Sequence, residues 1–167
     1  ISETAGDDLR AAEIRRYDDP PDRNPTPAPG EEDTIEGVGS HIETHVGPIE
    51  SVFHEIVSEI VHVDVYWVKP GKNRPFHTLI TSGMCDRPMQ APPGMEEMRY
   101  AELVALLPPD WRLTKPDFER EEWYWPIRWL KILARFPHEC DTWLWAGHTI
   151  PCGDPPEPLA PNTKLCC

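Results

Sequence analysis

The chain has 167 residues, enough for one domain with a real core and too few for two large ones. Its 29 Asp and Glu against 16 Lys and Arg give a formal net charge of -13, which disfavours direct binding to nucleic-acid phosphates and suits a basic partner. No apolar run reaches 18 residues, so no membrane partner is expected, and the odd set Cys85, Cys140, Cys152, Cys166 and Cys167 follows no repeated Cys-x-x-Cys spacing, as in a reducing, cytoplasmic compartment.

The acidity lies mostly in the first 50 residues. The stretch from Tyr17 to Gly30 adds five prolines and almost nothing apolar, so it can neither nucleate a helix nor donate a full ladder. Residues 1–34 are therefore expected to form an acidic, proline-rich arm or linker, and residues 35–167 the domain itself.

Ile35, Val38, Ile42 and Val46 recur at three and four residues and predict a helix with one buried face. Ser40, with Glu43 three positions on, offers a capping box for a later start, and Gly47-Pro48 supplies the stop. Strand character follows in Val52–Ile56 and, more clearly, in Val61–Val68. Alternation there places Val61, Val63, Val65 and Trp67 on one face, and His62, Asp64, Tyr66 and Val68 on the other. The seven residues from Lys69 to Pro75 form a turn, making an antiparallel pair with a strand at Phe76–Thr81 the economical reading.

After Ser82-Gly83-Met84 comes a long loop to Gly94 holding three prolines. Tyr100–Leu107 returns to strand, with Ala101, Leu103, Ala105 and Leu107 inward and Glu102 outward. From Trp123 to Phe136 the period changes to that of a helix, with Pro126 at its start and Ile127, Leu130, Leu133 or Ala134, and Phe136 as the buried stripe. Asn162–Cys167 reads as the beginning of a further strand, so the domain is expected to be cut short at its carboxyl end.

Five of the seven tryptophans, Trp123, Trp125, Trp129, Trp143 and Trp145, fall within 23 positions. They form either a large aromatic core where the helix meets the sheet or a partly exposed surface that binds a partner. His54, His62 and His77 lie on or beside successive strand segments with Asp64 close by, the donor types that a zinc-dependent hydrolase would need, although no metal motif fixes their spacing. His41, His45, His138 and His148 follow no pattern. Cys85 beside Asp86 lacks the positive surroundings of a nucleophile, and Glu102 has no second carboxylate at a convincing spacing. Arg87 reads either as a brace of its turn or as an anion-recognising guanidinium. No phosphate-loop, dinucleotide or nucleophile-elbow motif is present. The expectation is no catalytic site, no cofactor and no metal.

The string FHTLITSGMCDRPM from Phe76 to Met89, with VHVDV before it and YAEL and LPPDW after it, resembles the suppressor of fused domain family, especially its bacterial members. FHEI at Phe53–Ile56, the Trp123–Phe136 string and GHTI at Gly147–Ile150 extend the resemblance from about Ile42 to Cys167. It implies an α/β (α+β type) fold, a mixed, largely antiparallel sheet packed by helices. It also implies a non-enzymatic, protein-binding role. In animals the similar domain belongs to a regulator that sequesters transcription factors, and some bacterial relatives are immunity proteins that neutralise toxins. For this chain a protein partner, with a basic toxin as its specific form, is the leading expectation, with a metal-dependent hydrolase or an accessory regulatory module of a larger protein as the alternatives. Thr78, Thr81, Gly83, Met84, Asp86, Arg87, Pro88 and Met89 match the family signature, with Cys85 where relatives often carry serine. Together with Asp64, Asp86 and Arg87, the five clustered tryptophans and His148 are the candidate partner-binding or structural residues.

Overall fold

The computed structural model of the chain describes residues 16–17, 30–55 and 60–166. Four strands form an antiparallel meander in the order β1-β2-β3-β4, with β1 at Ile49–Phe53, β2 at Asp64–Val68, β3 at His77–Ser82 and β4 at Val104–Leu107. Helix α1 (Glu32–His45) and helix α2 (Glu121–Glu139) complete the described regular structure apart from short 3-10 turns. This is the α/β class with an antiparallel sheet and packed helices that the sequence implies.

Alternation along β2 and β3 explains the layering. Val65 and Leu79 point to one face, where they pack with Leu107, Leu113, Ile127 and Leu130, so α2 covers that side. Tyr66, Val68 and Ile80 point to the other face and meet Ile42, Val38 and Val46 of α1. A sheet covered on both faces needs apolar side chains at consecutive positions, and β3 is buried throughout its length. A third cluster of Ile60, Val61, Val63, Met84, Met89 and Ala134 closes the end of the sheet where β2 begins.

Several expectations shift in detail. Helix α1 starts at Glu32, and Ser40 is not its cap: the Ser40 carbonyl lies inside the helix and accepts from Thr44 Oγ1 at 2.8 Å. The stop at Val46-Gly47 is as expected, with both backbone N–H groups donating to the Ile42 carbonyl. Strand β1 begins earlier than the Val52–Ile56 segment suggests, and β2 is shorter, because 60–63 run outside the ladder.

Pro126 lies inside α2 rather than at its start, since the helix begins at Glu121. A proline there cannot donate to the carbonyl four residues back, which belongs to Glu122. Asn162 Nδ2 donates to that carbonyl instead, at 2.9 Å, so a residue far along the chain repairs the ladder. Asn162–Cys166 forms no strand among the described residues; it folds back through single backbone bonds, Leu159 N–H to Leu165 O at 2.8 Å and Cys152 N–H to Cys166 O at 2.7 Å. Most of the expected proline-rich arm lies outside the described residues.

Candidate protein-binding surface

The proposed metal donors separate. His77 lies on β3, where the Trp67 indole N–H donates to its Nδ1 at 2.9 Å and its Nε2–H donates to the Pro109 carbonyl at 3.2 Å. That pattern fixes a neutral ring, and burial lowers its pKa in the same sense. His54 and His62 instead converge on Asp64, with His54 Nδ1 at 2.8 Å from Oδ2 and His62 Nε2 at 3.1 Å from Oδ1. Among the described residues no group of three or more His, Cys, Asp or Glu is placed to hold a metal ion.

Asp64 is the hub of a structural network. Its carboxylate is buried, and it also accepts from the Glu55 backbone N–H at 3.0 Å. Glu55 in turn accepts from the Val63 N–H at 3.1 Å and pairs with Arg135 of α2. Buried Lys131, one helical turn from Arg135, has its pKa lowered by burial, against the pull of Glu55 and Asp64. These charges tie the start of β2 to α2 and satisfy the backbone where the ladder has not yet begun.

The signature loop after β3 is held the same way. Glu102, expected to face solvent, turns back and accepts from Thr81 Oγ1 at 2.6 Å, Gly83 N–H at 2.9 Å and Cys85 N–H at 3.0 Å. His138 of α2 donates from Nε2 to the Met84 carbonyl at 2.9 Å, and burial lowers its pKa. Asp86 Oδ2 accepts from the Glu31 N–H at 3.3 Å. Because α1 has no side-chain cap of its own, this carboxylate serves its amino end from 55 residues away. Cys85 is no nucleophile: burial and the neighbouring Glu102 and Asp86 carboxylates push its thiol up to about 12. Arg87 is exposed, and its charge helps to lower the His138 pKa.

The clustered tryptophans divide into two groups. Trp123 and Trp125 meet Trp111 edge to face, with centroids 5.3 and 6.1 Å apart, and Arg112 lies over the Trp123 ring. Trp129 is half-buried under Arg128, and the indole N–H groups of Trp123, Trp125 and Trp129 have no acceptor within the described protein. Trp143, Trp145 and His148 belong instead to the segment after α2. Trp143 packs on the core and His148 stands edge-on to it at 4.7 Å, while Trp145 is 40% exposed on a turn closed by the His148 N–H to its carbonyl at 3.2 Å. Trp123, Trp125, Trp129 and Trp143 are partly buried and Trp145 is exposed, so the cluster is neither wholly core nor wholly surface.

Two residues of the amino-terminal arm reach this same region. Tyr17 hydrogen-bonds Thr142 Oγ1 at 2.8 Å and meets Phe136 edge to face at 5.2 Å, while Arg16 pairs with Asp154 at 3.4 Å. Nothing in the arm's composition signals that contact. A shallow cleft of about 390 Å³ lies at the far end of β1 and β2, but its cations are engaged: Lys69 pairs with Glu50, and Arg74 donates to the Lys69 carbonyl.

The family model described as suppressor of fused protein (SUFU) matches residues 59–167. The chain belongs to the suppressor of fused family. The match covers β2, β3, β4, α2 and the segment after α2, and therefore both the Glu102-held loop and the exposed Trp145 turn. Among curated proteins and among solved structures nothing matches the chain. Family membership supports a protein-binding or regulatory role, and no described helix is long and apolar enough to cross a membrane.

Proposed function

We propose that the chain is a bacterial-type member of the family that acts without catalysis, by occluding a basic protein partner. The observation that carries this reading is the exposed Trp145 indole on a pinned turn, since a rigid aromatic anchor contributes binding energy at little entropic cost. Asp141, Asp154 and Glu157 are exposed in the same segment, and the net charge of -13 would steer a basic partner toward it. Within this reading Trp143 and His148 hold the turn, Asp64 and Asp86 are structural, and Arg87 is left exposed for contact. Arg16 and Tyr17, from the expected arm, border the surface.

A toxin neutralised by such a domain would fit the charge best if it were a basic nuclease, which makes an immunity role the specific form of the proposal. Affinity capture with the 167-residue chain, read by mass spectrometry, tests the general form. A stoichiometric basic protein, released by salt and lost on Trp145→Ala, is the expected result. A captured partner indifferent to both salt and Trp145→Ala would overturn the assignment of the surface. Coexpression with the captured protein then tests the immunity form, which requires that its toxicity be relieved.

A further inference from the structure

All four described cysteines are free thiols, and two of them, Cys152 and Cys166, meet through the backbone: the Cys152 N–H donates to the Cys166 carbonyl at 2.7 Å. Standard bond lengths on either side of that hydrogen bond cap the separation of the two Cα atoms at about 6.6 Å. A disulfide spans roughly 4.4–6.8 Å at Cα, so the pair lies within bridging reach although residues 153–165 stand between its members. Both backbones are held where they meet. The Cys152 carbonyl accepts from the Glu157 N–H at 2.6 Å. Beside Cys166, the Leu165 N–H donates to Thr163 Oγ1 at 3.1 Å and the Leu165 carbonyl accepts from the Leu159 N–H at 2.8 Å.

Both residues are half-buried, and the Cys166 thiol donates to the Lys164 carbonyl at 3.4 Å, a weak bond that a turn about χ1 releases. The other two described thiols sit differently. Cys85 lies beside Glu102 with its thiol pushed up to about 12, and Cys140 ends α2, where burial, Glu139 and Asp141 push its thiol up as well. The segment that Cys152 and Cys166 bracket has a job of its own. It lies on the amino-terminal half of α2, where the Leu159 carbonyl accepts from Arg128 at 3.1 Å, Ala160 is buried and Asn162 donates to the Glu122 carbonyl at 2.9 Å. Residues 153–165 contain no helix or strand, so these few contacts carry the docking.

We infer that Cys152 and Cys166 form a reversible disulfide that staples the segment after α2 onto that helix. The oxidant is a low-molecular-weight disulfide, for which glutathione disulfide serves as the probe. One cysteine thiolate attacks a sulfur of glutathione disulfide and expels a glutathione thiolate. The second cysteine then attacks the protein sulfur of the mixed disulfide and expels the other. Two electrons pass to the glutathione, both cysteines give up their protons, and two glutathione thiols leave. Closing the ring of residues 152–166 removes conformations in which the segment leaves α2, and so favours the docked state. A bond between half-buried thiols outside regular structure belongs to the reducible, responsive kind found in reducing compartments.

The test equilibrates the 167-residue chain with mixtures of reduced and oxidised glutathione, blocks the remaining thiols, and digests the unfolded product with trypsin, which cuts after Arg135 and Lys164. Cys140→Ser and Cys167→Ser remove the two other thiols from the peptides concerned, and fragment spectra of the unsubstituted chain must place the same link. The expected product is the Phe136–Lys164 peptide joined to the one that begins at Leu165, formed within one chain and lost on treatment with dithiothreitol. Closure should be favoured about tenfold or more in the folded chain over the same chain in concentrated urea, because the folded backbone already brings the pair together. Oxidation should also slow amide exchange at Cys152 and Leu159, whose N–H groups hold the two ends of the ring. Cys152→Ser should abolish the joined peptide and leave Cys166 carrying glutathione. Glutathione on both cysteines without a joined peptide, a link between two chains, or thiols that stay reduced in excess glutathione disulfide would each overturn the proposal. So would closure no more favourable than in urea, or exchange at those amides that oxidation leaves unchanged.

Discussion

Gly83 is the position where a single methyl group should do most damage. It has φ of +114° and opens the 3-10 turn Met84–Asp86, directly under the backbone that precedes β2. A Cβ built there falls far inside van der Waals contact distance of the His62 carbonyl oxygen, 3.0 Å from its carbon and 3.5 Å from Val63 Cα. Neither backbone can retreat easily, since Val63 donates to Glu55 and Asp64 is held by two histidines. The left-handed conformation costs a non-glycine residue about 1–2 kcal/mol, and forcing volume into a packed site costs about 1–3 kcal/mol more. Gly83→Ala should therefore lose about 2–5 kcal/mol, a large part of the roughly 5–15 kcal/mol that domains possess. At about 2–4 °C per kcal/mol for a chain of this size, the melting temperature should fall by roughly 5–20 °C. Two other glycines separate the terms. Gly94, with φ of +88° and open space around it, should cost only the conformational part on substitution by alanine, whereas Gly37, helical and unobstructed, should gain about 0.5–1 kcal/mol. Urea denaturation of the three variants measures this ordering. If Gly83→Ala were no worse than Gly94→Ala, the close approach of the signature loop to residues 62–63 would be refuted.

Other consequences follow from the side-chain networks. His77 and His138 have folded pKa values lowered from 6.5, so protonation favours the unfolded chain. Their contribution is complete above about pH 6.5 and is lost progressively as pH falls toward the lowered values; urea midpoints between pH 7.5 and 5 should decline, and less steeply in His138→Asn. Cys85, pushed up to about 12, should be roughly one part in 10⁴ thiolate at pH 8, so iodoacetamide mapped by mass spectrometry should label it only after unfolding. Asn162→Ala should cost about 1 kcal/mol by stripping the Glu122 carbonyl of its donor, and much less in a Pro126→Ala background, where the helix supplies its own N–H. A double-mutant cycle with no coupling would sink that account. Glu102→Gln should destabilise by about 1.5–3 kcal/mol, since an amide cannot accept from all three donors with charged strength.

The layers of this fold were legible because each depends on local periodicity. Alternation in Val61–Val68 assigned Val65 and Tyr66 to opposite faces, and the three-four spacing of Ile35, Val38, Ile42 and Val46 found the helix that covers one of them. Boundaries were less legible, for identifiable reasons. Pro126 is a good first-turn residue, and it sits deeper in α2 with a side chain 36 positions away donating to the carbonyl it leaves unpaired. Strand character before Asp64 and Val104 is real in composition, but there the Val63 and Leu103 N–H groups donate to the Glu55 and Thr81 side chains instead of to strand carbonyls.

The candidate residues fared according to whether their chemistry is short-range or long-range. His62 and Asp64, two apart in sequence, were read together and do touch; His77, equally plausible by residue type, is committed to Trp67 and Pro109. Tyr17 on Thr142, Asp86 at the start of α1 and Glu102 under the signature loop join segments 125, 55 and about 20 residues apart, and no spacing rule reaches that far. Each of these long-range bonds fixes backbone around the signature loop or the segment after α2. The polar groups that a sequence reading would assign to chemistry are thus largely consumed in shaping surfaces. Among the groups left exposed are Arg87, Tyr100, Val104, Leu106, Trp145 and Leu165, which are suited to contact. The physical case for a binding protein rests on those exposed groups, Trp145 first, and it would collapse if Trp145→Ala left every association of the chain unchanged.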